Sequence, residues 1–353
     1  MKNPFLTCPG LPIVYCAVLA GCAAPAPRDV PGARAQQDTA ASTPVQGTAI
    51  VSYNVENLFD TKDDPATNDE DFLPQGKLHW TAERYRHKLE QLARAITWAG
   101  HGPPAVIGLA EVENAAVVKD LAHTEPLGKA DYALVHFESP DERGIDVALL
   151  VRKDLATVLD QQPLAVDLGR DRTRDVLYAL LRLADGTHLH VLMNHWPSRG
   201  EGEKISAPKR MAAAHVVRRK VDELLRNDAH AKILIMGDFN DSPADASIRN
   251  GLQAACDARA DASLVDLMCM DQPAGSGSYQ YGGEWDYLDQ MIISKGLFEG
   301  PGITVGKASA FHDPRLLFNH PKYGPSPDKT YSGGHYKGGF SDHLPIVAMF
   351  QLR

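Results

Sequence analysis

Positive charge is scarce in this chain. Thirty-six Lys and Arg stand against 45 Asp and Glu, a formal net charge of -9 that argues against a generic basic protein coating DNA. A nuclease remains open, because metal ions in a site can carry the phosphate's charge. Cysteine is also scarce: Cys8, Cys16 and Cys22 sit near the N-terminus, leaving only Cys256 and Cys269 further on. No Ser or Cys stands in a nucleophile-elbow motif, so a side-chain nucleophile of that kind has no sequence support. No aromatic-rich wedge that would pry a base from a duplex is visible, nor an aromatic hairpin for membrane docking. What is present is ordinary globular composition, 353 residues with 44% hydrophobic and 23% charged. That length permits two or three small domains or one large α/β domain.

The N-terminus "MKNPFLTCPGLPIVYCAVLAGC" has one early Lys and a short apolar run ending Leu19-Ala20-Gly21-Cys22. The run is too short to span a bilayer and reads as a secretory signal over residues 1–21. Its ending resembles the bacterial lipobox, which implies that Cys22 is lipidated and becomes the mature N-terminus. A plain signal peptide with an accidental Cys is the alternative. Residues 22–47 are rich in Ala, Pro, Gln and small polar residues without apolar period, the composition of a flexible tether. The expected location is the cell envelope, lipid-anchored, on the periplasmic side of an outer membrane if the source is Gram-negative. In an oxidising compartment Cys256 and Cys269 could pair; two inert thiols are the alternative.

From Thr48 to Arg353 strand and helix patterns alternate without a second linker. "TAIVSYN", "YALVHF", "DVALLV" and "KILIMGDFN" read as strands, and the near-continuous apolar "AVIGLAEVEN" as a strand buried on both faces. "VLYALLRLADGTHLHVLMNHW" reads as a hairpin turning at Asp185-Gly186, and "WDYLDQMIIS" and "SDHLPIVAMFQL" as late strands. Tyr85, Leu89, Leu92 and Ile96 fall at helical spacing. So do Val217, Val221, Leu224 and Leu225 in "APKRMAAAHVVRRKVDELLRN", with Arg218, Arg219 and Lys220 expected on a solvated face. Interleaved helices and hairpins predict one α/β domain over 48–353 with mixed rather than purely parallel sheets.

The stretch "ILIMGDFNDSP" ends an apolar strand in Asp238 and Asn240, and it is not alone. "IVSYNVEN" carries Asn54 and Asn57, "GLAEVEN" carries Glu111, and "MNHWPSR" carries Asn194, His195 and Arg199. "WDYLDQ" carries Asp286 and Asp289, and "FSDHLPI" carries Asp342 and His343. Each alone is explained as a turn or strand end; together they suggest side chains delivered to one edge. Carboxylates and amides without Cys or clustered His favour a hard cation over zinc. Water is then the expected attacker, and metal-assisted phosphoester hydrolysis the simplest chemistry.

The ordered set "SYNVENLFD", "GLAEVEN", "ERGIDVALLVR", "MNHWPSR", "GDFNDSP", "LDQMIIS" and "SDHLPI" resembles the endonuclease/exonuclease/phosphatase superfamily over about residues 48–353. The resemblance implies a four-layer α/β/β/α sandwich with two mixed sheets face to face. It also implies a divalent ion, Mg²⁺ with Mn²⁺ or Ca²⁺ as alternatives, at one end. Matched position by position, Glu111, Asn54 and Asp342 fall on metal-shell positions. Asp238 and Asn240 match the pair that handles the attacking water and holds phosphate. His343 matches the catalytic His and Asp289 its orienting carboxylate, with Asp286 a competitor three residues earlier. His195 matches the second His, and Arg199, Lys204 and Arg210 are candidate phosphate clamps. One departure stands out: the mid-chain phenol of several members has no counterpart in "ERGIDVALLVR", which offers Arg143 and Asp146 instead.

The expected partners are a phosphoester (nucleic acid, a phospholipid head group or a small phosphate ester) and a membrane reached through the lipid anchor. No protein partner is implied. The competing reading is a non-catalytic phosphate or nucleic-acid binding protein on the same fold; retention of Glu111, Asp238 and His343 argues against it. Replacing Cys22 with Ser is expected to move the protein from the membrane to the soluble fraction on cell fractionation, and continued membrane association would contradict the anchor.

Overall fold

Strands with apolar residues on both sides need cover on both sides, and this chain provides it by stacking sheets between helices. The computed structural model describes residues 48–257, 261–269, 273, 275–299 and 302–352. The signal and tether segments, Cys22 included, lie outside the described residues. With strands numbered along the chain, the first sheet has six. Its spatial order is β14 (Ile303–Ala310), β19 (Ile346–Leu352), β1 (Thr48–Leu58), β2 (Val106–Val112), β4 (Asp146–Arg152) and β3 (Tyr132–His136). Only β1 and β2 run parallel there.

The second sheet has seven strands. They are ordered β5 (Ala156–Leu164), β6 (Val176–Leu183), β7 (His188–His195), β8 (Ile233–Asp238), β13 (Asp289–Ser294), β10 (Leu264–Asp266) and β9 (Ala254–Ala255). The pairs β7–β8 and β9–β10 are parallel and the rest antiparallel. Three short hairpins complete the strands: β11 (Tyr279–Tyr281) with β12 (Glu284–Asp286), β15 (Leu317–His320) with β16 (Gly324–Pro327), and β17 (Tyr331–Ser332) with β18 (His335–Tyr336).

Period-two alternation assigns each strand's two faces. On β7 and β8, Val191, Met193, Leu234 and Met236 enter the core shared with the first sheet. Their neighbours Leu192, Ile233 and Ile235 face the other way, onto Val217 and Val221 of α3 (Glu203–Asn227). At the sheet-on-sheet contact a Cβ on Gly108 would lie 2.5 Å from Met193 Sδ and 2.7 Å from Met236 Cε. Glycine therefore lets the flexible thioethers fill the gap between layers. Leu89, Leu92 and Ile96 of α1 (Ala82–Ala99), with Val117, Val118 and Leu121 of α2 (Ala115–His123), complete the core beside the first sheet. Each such buried aliphatic side chain contributes about 1.5–3 kcal/mol. The architecture is the expected sandwich of two mixed sheets with helices packed outside. A short α4 (Lys295–Glu299) follows β13 directly.

Several local expectations are corrected. "WDYLDQMIIS" is not one strand: Tyr287 and Leu288 separate β12 from β13. β5 carries mostly exposed and half-buried residues and no clear apolar period, which is why its sequence gives no strand signal. Helix α3 starts at Glu203, before Pro208, because Ser206 Oγ and Arg210 bond back into its first turns. Lys220 is not solvated; its ammonium lies 4.4 Å from the centre of the Tyr178 ring. The pairing anticipated for Cys256 and Cys269, by contrast, is present as a disulfide across a separation of 13 residues, worth about 3 kcal/mol for a loop of that size.

Candidate active site

The polar end of β8 is forced by its backbone. Gly237 has φ +135°, and a Cβ there would lie 2.0 Å from the Asn194 carbonyl oxygen of β7. Only glycine fits, and Asp238 and Asn240 follow at the sheet's rim. The backbone N–H of Asn240 donates to Asp238 Oδ1 at 2.8 Å, and its side-chain amide donates to the Trp196 carbonyl at 3.0 Å. Asn240 therefore fixes the Asp238 carboxylate by its main chain.

Glu111 arrives from the other sheet through a bulge. The β2–β4 register shifts between Ala110 and Val112, and Glu111 adopts φ +66°. Glu56, Asn57 and Asn240 also have positive φ, so four of the seven non-glycine residues in this region of backbone space, among the described residues, surround one rim. Each costs about 1–2 kcal/mol, a concentration of strain expected where geometry is set by a site. The Asn57 N–H donates to Glu111 Oε2 at 3.0 Å. Asn54 Nδ2 bridges Glu111 Oε1 at 3.3 Å and Asp238 Oδ2 at 3.0 Å.

That arrangement corrects one expectation. The Asn54 carbonyl oxygen accepts the Glu56 N–H at 3.0 Å, so the side chain turns its nitrogen, not its oxygen, toward the carboxylates. Asn54 as placed braces Glu111 and Asp238 through its nitrogen, while its oxygen holds the Glu56 N–H.

His343 resolves the choice between the two candidate aspartates. Its Nδ1 lies 2.7 Å from Asp289 Oδ2, and its Nε2 lies 3.7 Å from Asp238 Oδ2. Asp289 pairs directly with Asp238 in the β8–β13 ladder, and its N–H donates to Ser278 Oγ at 3.2 Å. Asp286 instead lies 3.8 Å from the Arg199 guanidinium and is part-exposed. Burial alone would lower the His343 pKa, but Asp289, Asp238 and Asp342 together hold it well above the usual histidine value. The imidazolium is the stable form. Asp342, half-buried beside it, is raised by burial first; His343 opposes that shift and Glu111 adds to it.

Two contributors were not legible in sequence. Lys88, on the apolar face of α1, is fully buried, with Nζ 2.5 Å from Thr330 Oγ1, 2.6 Å from the Phe340 carbonyl and 3.8 Å from Glu56. Burial lowers its pKa to about 8 against the pull of Glu56, Asp342 and Glu111, which makes it a cation seated under the acidic rim. Tyr279 brings a phenol from the β11–β12 hairpin, its ring centre 4.8 Å from that of His343. Burial, then Asp342 and Asp238, push its pKa to about 12, so the hydroxyl keeps its proton. A phenol ring thus lies beside His343, brought from the last third of the sequence and not from mid-chain. Its signal was the aromatic alternation of "SYQYGGEW" about Gly282-Gly283.

His195 Nε2 faces Glu111 at 3.7 Å and Asp238 at 3.8 Å. Burial nevertheless lowers its pKa well below the usual value, and Arg174 and Arg143 reinforce that, so the ring is neutral. Arg174 is buried; it donates to the His195 and Trp196 carbonyls and pairs with Asp141 at 2.8 Å. The proposed clamps fare differently. Arg199 stands near the rim, donating to the Asn240 carbonyl at 2.7 Å, and is engaged by Asp245 and Asp241. Lys204 is exposed on α3. Arg210 is a correction: it is fully buried, 2.6 Å from Asp241 and 2.7 Å from Glu203. It anchors the helix start and presents no face to a ligand.

The donor set suits a hard cation. Glu111 and Asp342 offer carboxylate oxygens at the rim, and neither Cys nor a pair of free imidazoles competes. Burial pushes Asp238 to about 7, with Asp289 adding to the shift and His343 opposing it. Closely placed, poorly solvated carboxylates of this kind are stabilised by a divalent charge. Asp238, Asp289 and His343 also have ligand atoms within 4.8 Å of one another, but the Asp289–His343 hydrogen bond already occupies that corner.

Residues 49–352 match the Endonuclease/Exonuclease/phosphatase family. A search of curated proteins found no match to the sequence. Among solved structures, D. rerio TDP2 complexed with a single-strand DNA product is similar at TM-score 0.55 and 18% identity, covering 87% of this chain and 99% of that one. A Bacteroides thetaiotaomicron mannosyl-6-phosphatase is similar at TM-score 0.55 and 16% identity, covering 86% and 99%. The human Nocturnin catalytic domain with bound sulfate gives TM-score 0.51 and 13% identity, covering 87% and 95%. At these identities the likeness concerns the fold.

The His343 assignment is testable by NMR titration of its imidazole in EDTA. Asp289→Asn is expected to lower the midpoint, since the neighbouring carboxylate favours the charged ring, while Asp286→Asn leaves it in place. The reverse pattern would exchange the two aspartates.

Proposed function

The chain belongs to the endonuclease/exonuclease/phosphatase family, and from that premise we propose that it hydrolyses phosphoesters with a divalent metal ion and water as nucleophile. The observation that carries this reading is the convergence of three separated segments: Asn54 Nδ2 bridges Glu111 and Asp238, and His343 Nε2 lies 3.7 Å from Asp238 Oδ2. Glu111 and Asp342 would hold the cation, Mg²⁺ by preference. When bound, it neutralises phosphate charge and polarises the phosphoryl group.

The protein's own groups divide the remaining work. Asp238, poised near neutrality and fixed through both oxygens by Asn240 and Asn54, takes the proton of the attacking water. The His343 imidazolium, locked through Nδ1 by Asp289, turns its Nε2–H to a phosphoryl oxygen whose charge grows in the transition state. The Tyr279 hydroxyl supplies a neutral donor on the same side. Neutral His195, its main chain pinned by Arg174, faces Glu111 Oε1 and the same Asp238 oxygen that His343 approaches. One P–O bond forms from water, and the ester's P–O bond breaks.

Purified protein with Mg²⁺ is expected to release nitrophenol from bis-(p-nitrophenyl) phosphate, to stop in EDTA and to recover with excess Mg²⁺. His343→Ala should reduce kcat by about 10²–10⁴, and Glu111→Gln should raise the Mg²⁺ concentration for half-maximal rate about tenfold. Absence of turnover on a panel of mono- and diesters would favour a binding protein on the same fold.

A further inference from the structure

Beside the acidic rim lies a cleft of about 500 Å³ between the β11–β12 and β15–β16 hairpins. Its inner end is Asp342 and Tyr279, so it opens directly from the reacting centre. Five large apolar or aromatic side chains are exposed among the described residues, and three of them, Tyr281 (79%), Phe318 (50%) and Tyr323 (40%), line this cleft. Such exposure forgoes burial of some of the most valuable apolar surface in the chain. The two hairpins are tied together by Gln280 Nε2 donating to the Tyr323 carbonyl at 3.4 Å. Tyr323 is also stacked on His320, ring centres 4.8 Å apart at 26°. Lys329, whose charge reaches Asp342, and Lys337 add positive charge to the same walls.

We propose that this cleft seats an unpaired nucleobase of the substrate, with the scissile phosphate at His343 and a neighbouring phosphate near the lysines. The inference rests on the phosphoester reading and narrows it to nucleotide esters and single-stranded nucleic acid. Flat aromatic faces recognise any base by stacking, and ammonium groups follow the backbone. The same walls also carry Gln280, Ser326, Asp328 and Ser332, so the assignment to a base rests on the three exposed aromatic side chains. A membrane-docking tip would turn its aromatics away from the catalytic floor; these line a cleft that ends on it.

The test compares the p-nitrophenyl ester of thymidine 5′-phosphate with the same ester of abasic 2-deoxyribose 5-phosphate, in Mg²⁺. Stacking of one base is worth roughly 5- to 150-fold, so kcat/KM should favour the thymidine ester by about tenfold or more. The preference should collapse toward one in the Tyr281→Ala/Phe318→Ala double variant, whose sites are exposed and whose folding is checked by urea midpoint. A ratio near one in the unaltered protein, or a ratio that survives both substitutions, overturns the proposal. In EDTA, fluorescence anisotropy of a labelled five-residue oligothymidylate and its abasic counterpart separates this claim from the hydrolase reading. Base-dependent binding without turnover in Mg²⁺ would sustain the cleft and sink the hydrolase. Turnover of both esters without preference would do the opposite. Binding to phosphatidylcholine vesicles that the double variant loses, without base preference, would mark a lipid surface and overturn the assignment.

Discussion

Like charges held together out of water are the constraint that the rest of this structure answers. Glu111 and Asp238 come from different sheets and share a single bridging amide, that of Asn54. Carboxylates sharing one amide nitrogen out of water repel each other, and Asp342 adds a third charge. The surrounding groups work against that repulsion. Main-chain N–H groups of Asn57 and Asn240 hold individual oxygens, Lys88 sits beneath as a buried cation, and His343 is kept as an imidazolium. The left-handed backbone at Glu56, Asn57, Glu111 and Asn240 is the conformational cost of aiming these groups at one point.

The sandwich makes such a rim attainable. Two sheets facing each other across a methionine-filled seam end their strands at a common edge, so residues far apart in sequence become neighbours. Asp238 and Asp289 are partners in one ladder, while Asn54 and Glu111 lie on adjacent parallel strands of the other sheet. Rigid strands, not loops, therefore fix most of the central distances. The hairpins that wall the aromatic cleft are built differently: they are short, lie outside both sheets, and depend on a few hydrogen bonds and ring contacts. On the proposed reading, chemistry falls to the rigid part and substrate preference to the attachments.

Much of the centre was legible because a polar residue at the end of an apolar run is locally anomalous. "ILIMGDFN" and "GLAEVEN" announce Asp238, Asn240 and Glu111 in this way, and the two large sheets follow from the same apolar runs. What stayed hidden depends on tertiary partners. Arg210 looks like any exposed helix arginine until Asp241 and Glu203 enclose it. Lys88 looks solvated on a helix whose apolar face turns it inward, and Asn54 could be ligand or brace until Glu56 takes its oxygen. β5 lacks period because its side chains are mostly outside the core. The aromatic cleft needs two hairpins separated by about 40 residues, and neither hairpin alone has a strong pattern.

Where a hard cation settles decides whether the Glu111 rim is the reacting centre. His136, Glu138 and Asp146 form another group whose ligand atoms lie within 4.8 Å of one another, which provides an internal competitor. Crystals soaked in Mn²⁺ and measured for anomalous scattering decide between them. A peak bonded to carboxylate oxygens of Glu111 and Asp342, lost in Glu111→Gln crystals, is the expected result. Manganese found only at His136, Glu138 and Asp146, or none at the Glu111 rim, would contradict it.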